Sequence, residues 1–125
     1  MVAVPGASAY YLGGCIVYTA ASREGLLGLT AQNISGVRSA SEPYASLIAE
    51  RVRSKLGATW GLSETGASGP SGNRYGDAAG HACFAVRGPL DAVITLETRS
   101  ADREANMLAF AHHALELLFV CLEKT

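Results

Sequence analysis

Three groups of residues have types and spacings that could do chemistry. The first is Thr65-Gly66-Ala67-Ser68-Gly69-Pro70-Ser71-Gly72-Asn73-Arg74-Tyr75-Gly76, a long glycine-rich segment. Glycines let backbone N–H groups turn inward and approach an anion such as a phosphate. Thr65 and Ser68 add hydroxyls and Arg74 adds a charge. The segment has no GxxxxGK[ST] pattern and is no P-loop. The second is Ser8, in a Gly-Ala-Ser turn. A serine becomes a nucleophile only with a base or a positioned hydrogen-bond partner in reach, no GxSxG elbow is present, and a plain turn role is the alternative. The third is a scatter of titratable residues. His112 and His113 are neighbours and do not share a helix face, so they make no two-ligand metal site. His81 follows the glycine-rich segment and could edge a pocket. Asp102-Arg103-Glu104 reads as a helix start with solvated charges, from which Arg103 could point into a site at that end.

Strands and helices must position these groups. Gly14-Cys15-Ile16-Val17-Tyr18 is an apolar run too short for a helix and predicts a buried strand. Ser22 to Leu27 predicts a short helix. Ser41-Glu42-Pro43 predicts a capped helix start, followed by Tyr44, Leu47, Ile48, Val52 and Leu56 at helical spacing and stopped by Gly57. Thr59 to Ser63 predicts a strand that runs into the glycine-rich segment. His81 to Val86 and Ala92 to Thr98 predict an antiparallel hairpin. The last segment predicts a long helix, capped by Ser100, whose core stripe is Leu108, Ala111, Leu115, Leu118 and Leu122. The order strand, helix, three strands, helix indicates a single α/β domain over residues 1–125, layered around a mixed sheet.

Composition narrows the function. The 125 residues carry 10 Lys+Arg against 11 Asp+Glu, a net charge of -1, and 49% are hydrophobic. That describes a packed core, and with no basic cluster denser than Arg51, Arg53 and Lys55 nucleic acid is set aside as a partner. Cys15, Cys83 and Cys121 form no CxxC pair, so neither a disulfide framework nor a zinc site is expected. Each lies in an apolar run and reads as a small buried hydrophobe in a reducing compartment. No signal peptide is visible and no uninterrupted apolar stretch approaches the roughly 18 residues of a membrane span, so the expectation is a soluble cytoplasmic protein that engages no membrane.

The motifs also resemble a known family. Val4-Pro5-Gly6-Ala7-Ser8-Ala9-Tyr10-Tyr11-Leu12-Gly13-Gly14-Cys15-Ile16-Val17-Tyr18 resembles the VPGSSAYFxGGxVxYS stretch of the CinA C-terminal domain family, the nicotinamide mononucleotide (NMN) deamidases. Val37-Arg38-Ser39-Ala40-Ser41-Glu42 is similar to the family's AVSE helix start, Thr65 to Pro70 to its TGxAGP loop, and Ala101-Asp102-Arg103 to its GDR. The resemblance spans nearly the whole chain. It implies a three-layer α/β/α sandwich and an amidohydrolase that releases ammonia from NMN, with no metal or other cofactor. It implies Ser8 as nucleophile, Tyr18 as its hydrogen-bond partner, Thr65, Gly66, Ser68 and Gly69 as substrate contacts, and Arg103 as the contact to phosphate or carboxamide. Small-molecule ligands of the nicotinamide-nucleotide type are the implied partners.

The chain departs from the family pattern at several of these places. Arg23 stands where the family has a lysine. An arginine stays protonated at physiological pH, so it can stabilise an oxyanion but cannot take the serine proton. Ala20 and Ala21 replace a usual Asn and Glu, and Met107 replaces an arginine. These departures open an alternative, a diverged domain that binds a small ligand, serves as an oligomeric scaffold or has been recruited to different chemistry. The family's opening helix, strand and ESCTGG motif have no counterpart in this sequence. The expectation is a fold lacking that N-terminal helix and strand, with an open sheet edge and a homo-oligomer that covers it.

Overall fold

The computed structural model describes all residues 1–125. A short 3-10 turn at Ala7–Ala9 is followed by α1 (Ala20–Leu27), α2 (Glu42–Leu56), β1 (Gly61–Ala67), β2 (His81–Arg87), β3 (Ala92–Glu97) and α3 (Arg103–Glu123). Each helix starts where a side chain meets its free N–H groups. Thr19 and Ser22 form a reciprocal capping box on α1, with Ser22 N donating to Thr19 Oγ1 (3.1 Å) and Thr19 N to Ser22 Oγ (2.9 Å). The Ser41 hydroxyl accepts from Tyr44 N on α2, and Pro43 sits in the first turn, where a missing N–H costs nothing. On α3 the cap is Asp102, whose carboxylate accepts from Ala105 N; Ser100 instead accepts from Asp102 N.

The three strands form one antiparallel sheet in the order β1-β2-β3, with His81 opposite Ala67 on one side and Glu97 on the other. β2 is the centre. Its Cys83 and Ala85 meet Ala45 and Ala49 of α2 on one face, and its Ala82 and Phe84 meet Phe110 and Ala114 of α3 on the other. Phe84 and Phe110 pack edge to face with centroids 6.1 Å apart. The result is an α/β/α layering, with Leu27, Leu29, Tyr44 and Ile48 closing a satellite cluster beneath α1.

The sheet differs from the sequence expectation in having no parallel pair. The run Gly14–Tyr18, which would have made the sheet mixed, is extended but joins no strand. Leu12 to Tyr18 make no backbone hydrogen bond within the molecule, and Ile16 and Tyr18 are 81% and 79% exposed. Apolar β-branched composition favours a strand only when a neighbouring edge offers ladder bonds, and here only Val17 tucks against the α1–α2 cluster. Cys15 is therefore exposed, whereas Cys83 and Cys121 are buried as expected. The expected Thr59–Ser63 strand begins two residues later and runs to Ala67, so the first three residues of the glycine-rich segment belong to β1.

α3 buries a different face from the one its leucine spacing suggests. Asn106, Phe110, Ala114, Leu118 and Cys121 face the sheet, while Leu108, Ala111, Leu115 and Leu122 are exposed. The two histidines follow this rotation, His113 stacking on Phe84 and His112 lying exposed. By length and composition α3 could cross a membrane, but it packs here as one layer of the sandwich.

Candidate functional site

The glycine-rich segment leaves the end of β1 and is tied down at both ends. Asn106, only 1% exposed, donates through Nδ2 to Ser68 O and Ser100 O (both 2.8 Å) and accepts from Thr98 Oγ1 (2.6 Å). Further along, Asn73 Oδ1 accepts from the N–H groups of Tyr75 and Asp77, and its amide donates to Asp77 Oδ2. Arg38 grips Asp77 through both Nη atoms and its side-chain bond holds the Asp77 carboxyl below the usual range. Three glycines of the segment are sterically required, among them Gly72, where a Cβ would lie 2.0 Å from Asp77 O. A Cβ on Gly66 would lie 2.4 Å from His81 O, and Gly69, at φ +108°, would place one 2.9 Å from Ala101 O.

Between these ties lies a cleft of about 290 Å³ lined by Tyr18, Gly66 to Gly69, Ser71, Gly72, Asn73 and Arg103. Arg103 donates from Nη1 to Gly69 O (2.7 Å) and from Nη2 to Tyr18 Oη (3.3 Å), so its guanidinium spans the mouth between the loop and the extended segment. The N–H groups of Ser68, Gly69, Ser71 and Gly72 make no hydrogen bond inside the molecule. A fixed cation beside several free backbone donors suits an anionic or strongly polar ligand. Among the described residues no group of histidine, cysteine and carboxylate side chains is arranged to hold a metal ion.

Of the residues singled out in the sequence, Tyr18, Gly66, Ser68, Gly69 and Arg103 line this cleft. Thr65 does not; its hydroxyl accepts from Ala40 N (3.0 Å) and supports Ala40 at φ 55°, a left-handed conformation costly for a residue with a Cβ. Ser8 sits exposed in the 3-10 turn, with no side-chain hydrogen bond and outside the cleft lining. Arg23 is held elsewhere, Nη1 donating to Tyr44 Oη (3.3 Å) with the guanidinium over the Tyr44 ring; its Nε is buried and has no partner. Arg74 stacks on Tyr75 and bonds its hydroxyl, away from the cleft lining. Sequence reasoning passed over Ser71, Asn73 and Asn106. The first two lay within the glycine-rich segment already singled out, whereas nothing local marks Asn106.

His81, which the sequence placed as a possible pocket edge, is not in the cleft lining and instead belongs to a charged cluster at the start of β2. His81 is buried, with Nδ1 against Glu97 Oε1, Nε2 2.8 Å from Ala40 O and Asp77 Oδ2 3.6 Å away. Both ring nitrogens face acceptors, which is the environment of an imidazolium. Burial alone would lower its pKa, but the bonds to Glu97 and Ala40 and the charge of Asp77 outweigh it and raise the pKa above 6.5. A raised folded-state pKa means stability that is fully present below the unfolded value and lost as pH rises through the folded one. Thermal unfolding is therefore expected to show its highest midpoint on the acid side of pH 6.5 as far as this group governs it, falling above that. His81→Gln is expected to remove that slope, and an unchanged slope contradicts the assignment.

These features define a class, an α/β/α domain that presents a polar, cationic cleft on a loop at the end of its sheet. Comparison with known proteins gives the family. The model for the CinA C-terminal domain matches residues 1–122, and the chain belongs to that family. It is 36% identical over 122 residues to a CinA-like protein of Anaeromyxobacter sp. (strain K), covering 98% of this chain and 30% of that protein. It is 38% identical over 89 residues to a CinA-like protein of Gloeobacter violaceus, covering 71% and 21%. The chain thus spans less than a third of the length of these relatives. A CinA superfamily protein from Klebsiella pneumoniae superposes with a TM-score of 0.87 at 22% identity, covering 99% of this chain and 78% of that one. One from Escherichia coli gives 0.85 at 22%, covering 94% and 69%. At those identities the superpositions establish the shared fold.

Proposed function

We propose that the chain acts on nicotinamide nucleotides as a CinA-type amidohydrolase, converting NMN to nicotinic acid mononucleotide and ammonia. The observation that supports this most is the cleft, which is lined by Arg103, by Tyr18 and by Ser68, Gly69, Ser71 and Gly72, whose N–H groups have no partner inside the molecule. Its volume of about 290 Å³ lies at the small end of ligand pockets, the size range of a mononucleotide or part of one. A guanidinium fork pairs well with phosphate oxygens, and backbone donors suit phosphate or a carboxamide oxygen. In the reaction Ser8 Oγ attacks the carboxamide carbon and its proton passes to the departing nitrogen, so that the C–N bond breaks and ammonia leaves; water then cleaves the acyl–serine ester, freeing the acid and returning a proton to Ser8 Oγ. Arg23 cannot serve as base in that step.

A second reading, a domain that binds the nucleotide without turning it over, is favoured by one observation. Ser8 and Arg23 both lie outside the cleft lining, and Arg23 is engaged with Tyr44. Ammonia release from NMN, measured with the purified chain and with Ser8→Ala, separates the two. The amidohydrolase reading expects turnover that Ser8→Ala lowers by roughly 10²-fold or more, the scale of losing a nucleophile or its positioned partner. Binding with no turnover in either protein leaves the second reading in place.

A further inference from the structure

The ties that hold the glycine-rich segment lead back to His81, and we propose that His81 is a positioning residue whose proton keeps the Asn73 side of the cleft in its binding shape. On the reading that the cleft is the ligand site, affinity for an anion there falls as His81 loses that proton.

Two lines of contact join His81 to the cleft. The first runs through the loop. Asn73 lines the cleft and is fastened to Asp77, its amide donating to Asp77 Oδ2 (2.8 Å) and its N–H to Asp77 O (3.1 Å). Asp77 Oδ2 in turn stands 3.6 Å from His81 Nε2. The second line runs through Ala40, whose O accepts from His81 Nε2 (2.8 Å) and whose N donates to Thr65 Oγ1 (3.0 Å). β1 and β2 thus grip a residue held at φ 55°. Arg38, two residues earlier, is thereby placed to donate to both Asp77 carboxylate oxygens (2.7 and 3.3 Å). Both lines end on Asp77, and Asp77 fixes Asn73.

Only the protonated ring satisfies this arrangement. Nδ1 faces Glu97 of β3 and Nε2 faces Ala40 O, so both nitrogens must donate. The charges around it are Glu97, Asp77 of the loop and Arg38 from the segment before α2. Glu42 of α2 lies a step farther off, accepting from Thr95 Oγ1 (2.7 Å), and the thiol of Cys83 on β2, which burial pushes up, stays neutral. Three carboxylates against one guanidinium favour a cation between them, although burial opposes it. A neutral ring keeps one N–H for two acceptors. Ala40 O and Glu97 then compete for it, Asp77 loses a neighbouring cation, and the hold on the left-handed Ala40 turn slackens.

Isothermal titration with NMN from about pH 6 to about pH 9, on the intact chain and on His81→Gln, reads the effect. The ligand's own phosphate titrates near pH 6, and the ratio of the two proteins' affinities cancels that. The ratio is expected to fall by about 10-fold across the range. By reciprocity, saturating NMN is expected to move the His81 ring titration, followed by NMR, to higher pH by about one pH unit. Glu97→Gln guards against a His81 variant that fails to fold. Glu97 is half-exposed, and removing its charge is expected to shift the fall in affinity to lower pH while the acid-side affinity stays. Without ligand, hydrogen-exchange protection of the Asn73 amide, corrected for the intrinsic rise of exchange with pH, is expected to drop through the His81 titration and to be low at every pH in His81→Gln. A constant affinity ratio, an unmoved profile in Glu97→Gln, or Asn73 protection indifferent to the His81 titration overturns the proposal. Failure of NMN to bind at any pH contradicts the ligand reading instead, and the Asn73 amide still decides whether His81 holds the loop.

Discussion

Arg103→Ala is expected to weaken NMN binding by roughly 10- to 100-fold, the scale of hydrogen bonds made to a charged group. Arg103 is itself exposed, and its two bonds are to Gly69 O and Tyr18 Oη at the cleft mouth. The fold does not rest on it, so its removal is expected to shift the unfolding free energy by less than about 1 kcal/mol. Arg103→Lys keeps the charge but loses the planar fork, and is expected to recover only part of the affinity. Isothermal titration with NMN, run beside thermal melts of the same samples, reads both quantities. Unchanged affinity in Arg103→Ala would mean that the nucleotide binds elsewhere.

The largest effect on stability is expected at Asn106. Its amide is buried, with both Nδ2 donors committed to Ser68 O and Ser100 O and its Oδ1 accepting from Thr98 Oγ1. Asn106→Ala strands those three partners. A buried group left unpaired costs about 1–3 kcal/mol, so the sum is about 3 kcal/mol once partial relaxation and entry of water are allowed for. For a domain of this size that lowers the melting temperature by roughly 10–15 °C. Asn106→Asp is the sharper control. It keeps the oxygen that faces Thr98 but turns the donor that serves two carbonyls into an acceptor, and is expected to be at least as destabilising as alanine. Both variants free the loop at Ser68 and so are expected to weaken cleft binding along with stability. A fully stable Asn106→Asp would show that the loop is held by something else.

The parts of the fold that were legible in the sequence were those set by local chemistry. Ser41, Pro43 and Gly57 mark the start and end of α2 because capping, a fixed φ and a left-handed stop are properties of single residues. The β2–β3 hairpin followed from two apolar runs and a short Gly-Pro-containing connection, Gly88 to Asp91 in the structure. α3 was legible as a helix but not in its orientation, because it is apolar on two sides and periodicity cannot choose between them. Phe110 and Ala114 face the sheet because an edge-to-face Phe84 contact and a close alanine approach are tertiary facts. The Gly14–Tyr18 run had the composition of a strand but found no edge to pair with, and composition does not encode its neighbour.

The site divides in the same way. Tyr18, Gly66, Ser68, Gly69 and Arg103 come together at one cleft although 85 residues separate the first from the last. Their motif resemblance, more than any spacing, marked them. Asn106 was invisible because its partners at positions 68, 98 and 100 meet only after folding. Thr65 and His81 looked like site residues and serve the backbone of Ala40 instead.

The proposed function requires that NMN occupy this particular cleft. Backbone amide NMR of the isotopically labelled chain, titrated with NMN, tests it most directly, because four of the lining N–H groups have no internal partner and must respond to an acceptor. Saturable shifts are expected at Ser68, Gly69, Ser71 and Gly72, with Tyr18 and Arg103 following and the exposed face of α3 unmoved. Shifts centred elsewhere, or none at ligand concentrations that saturate a millimolar site, would contradict it.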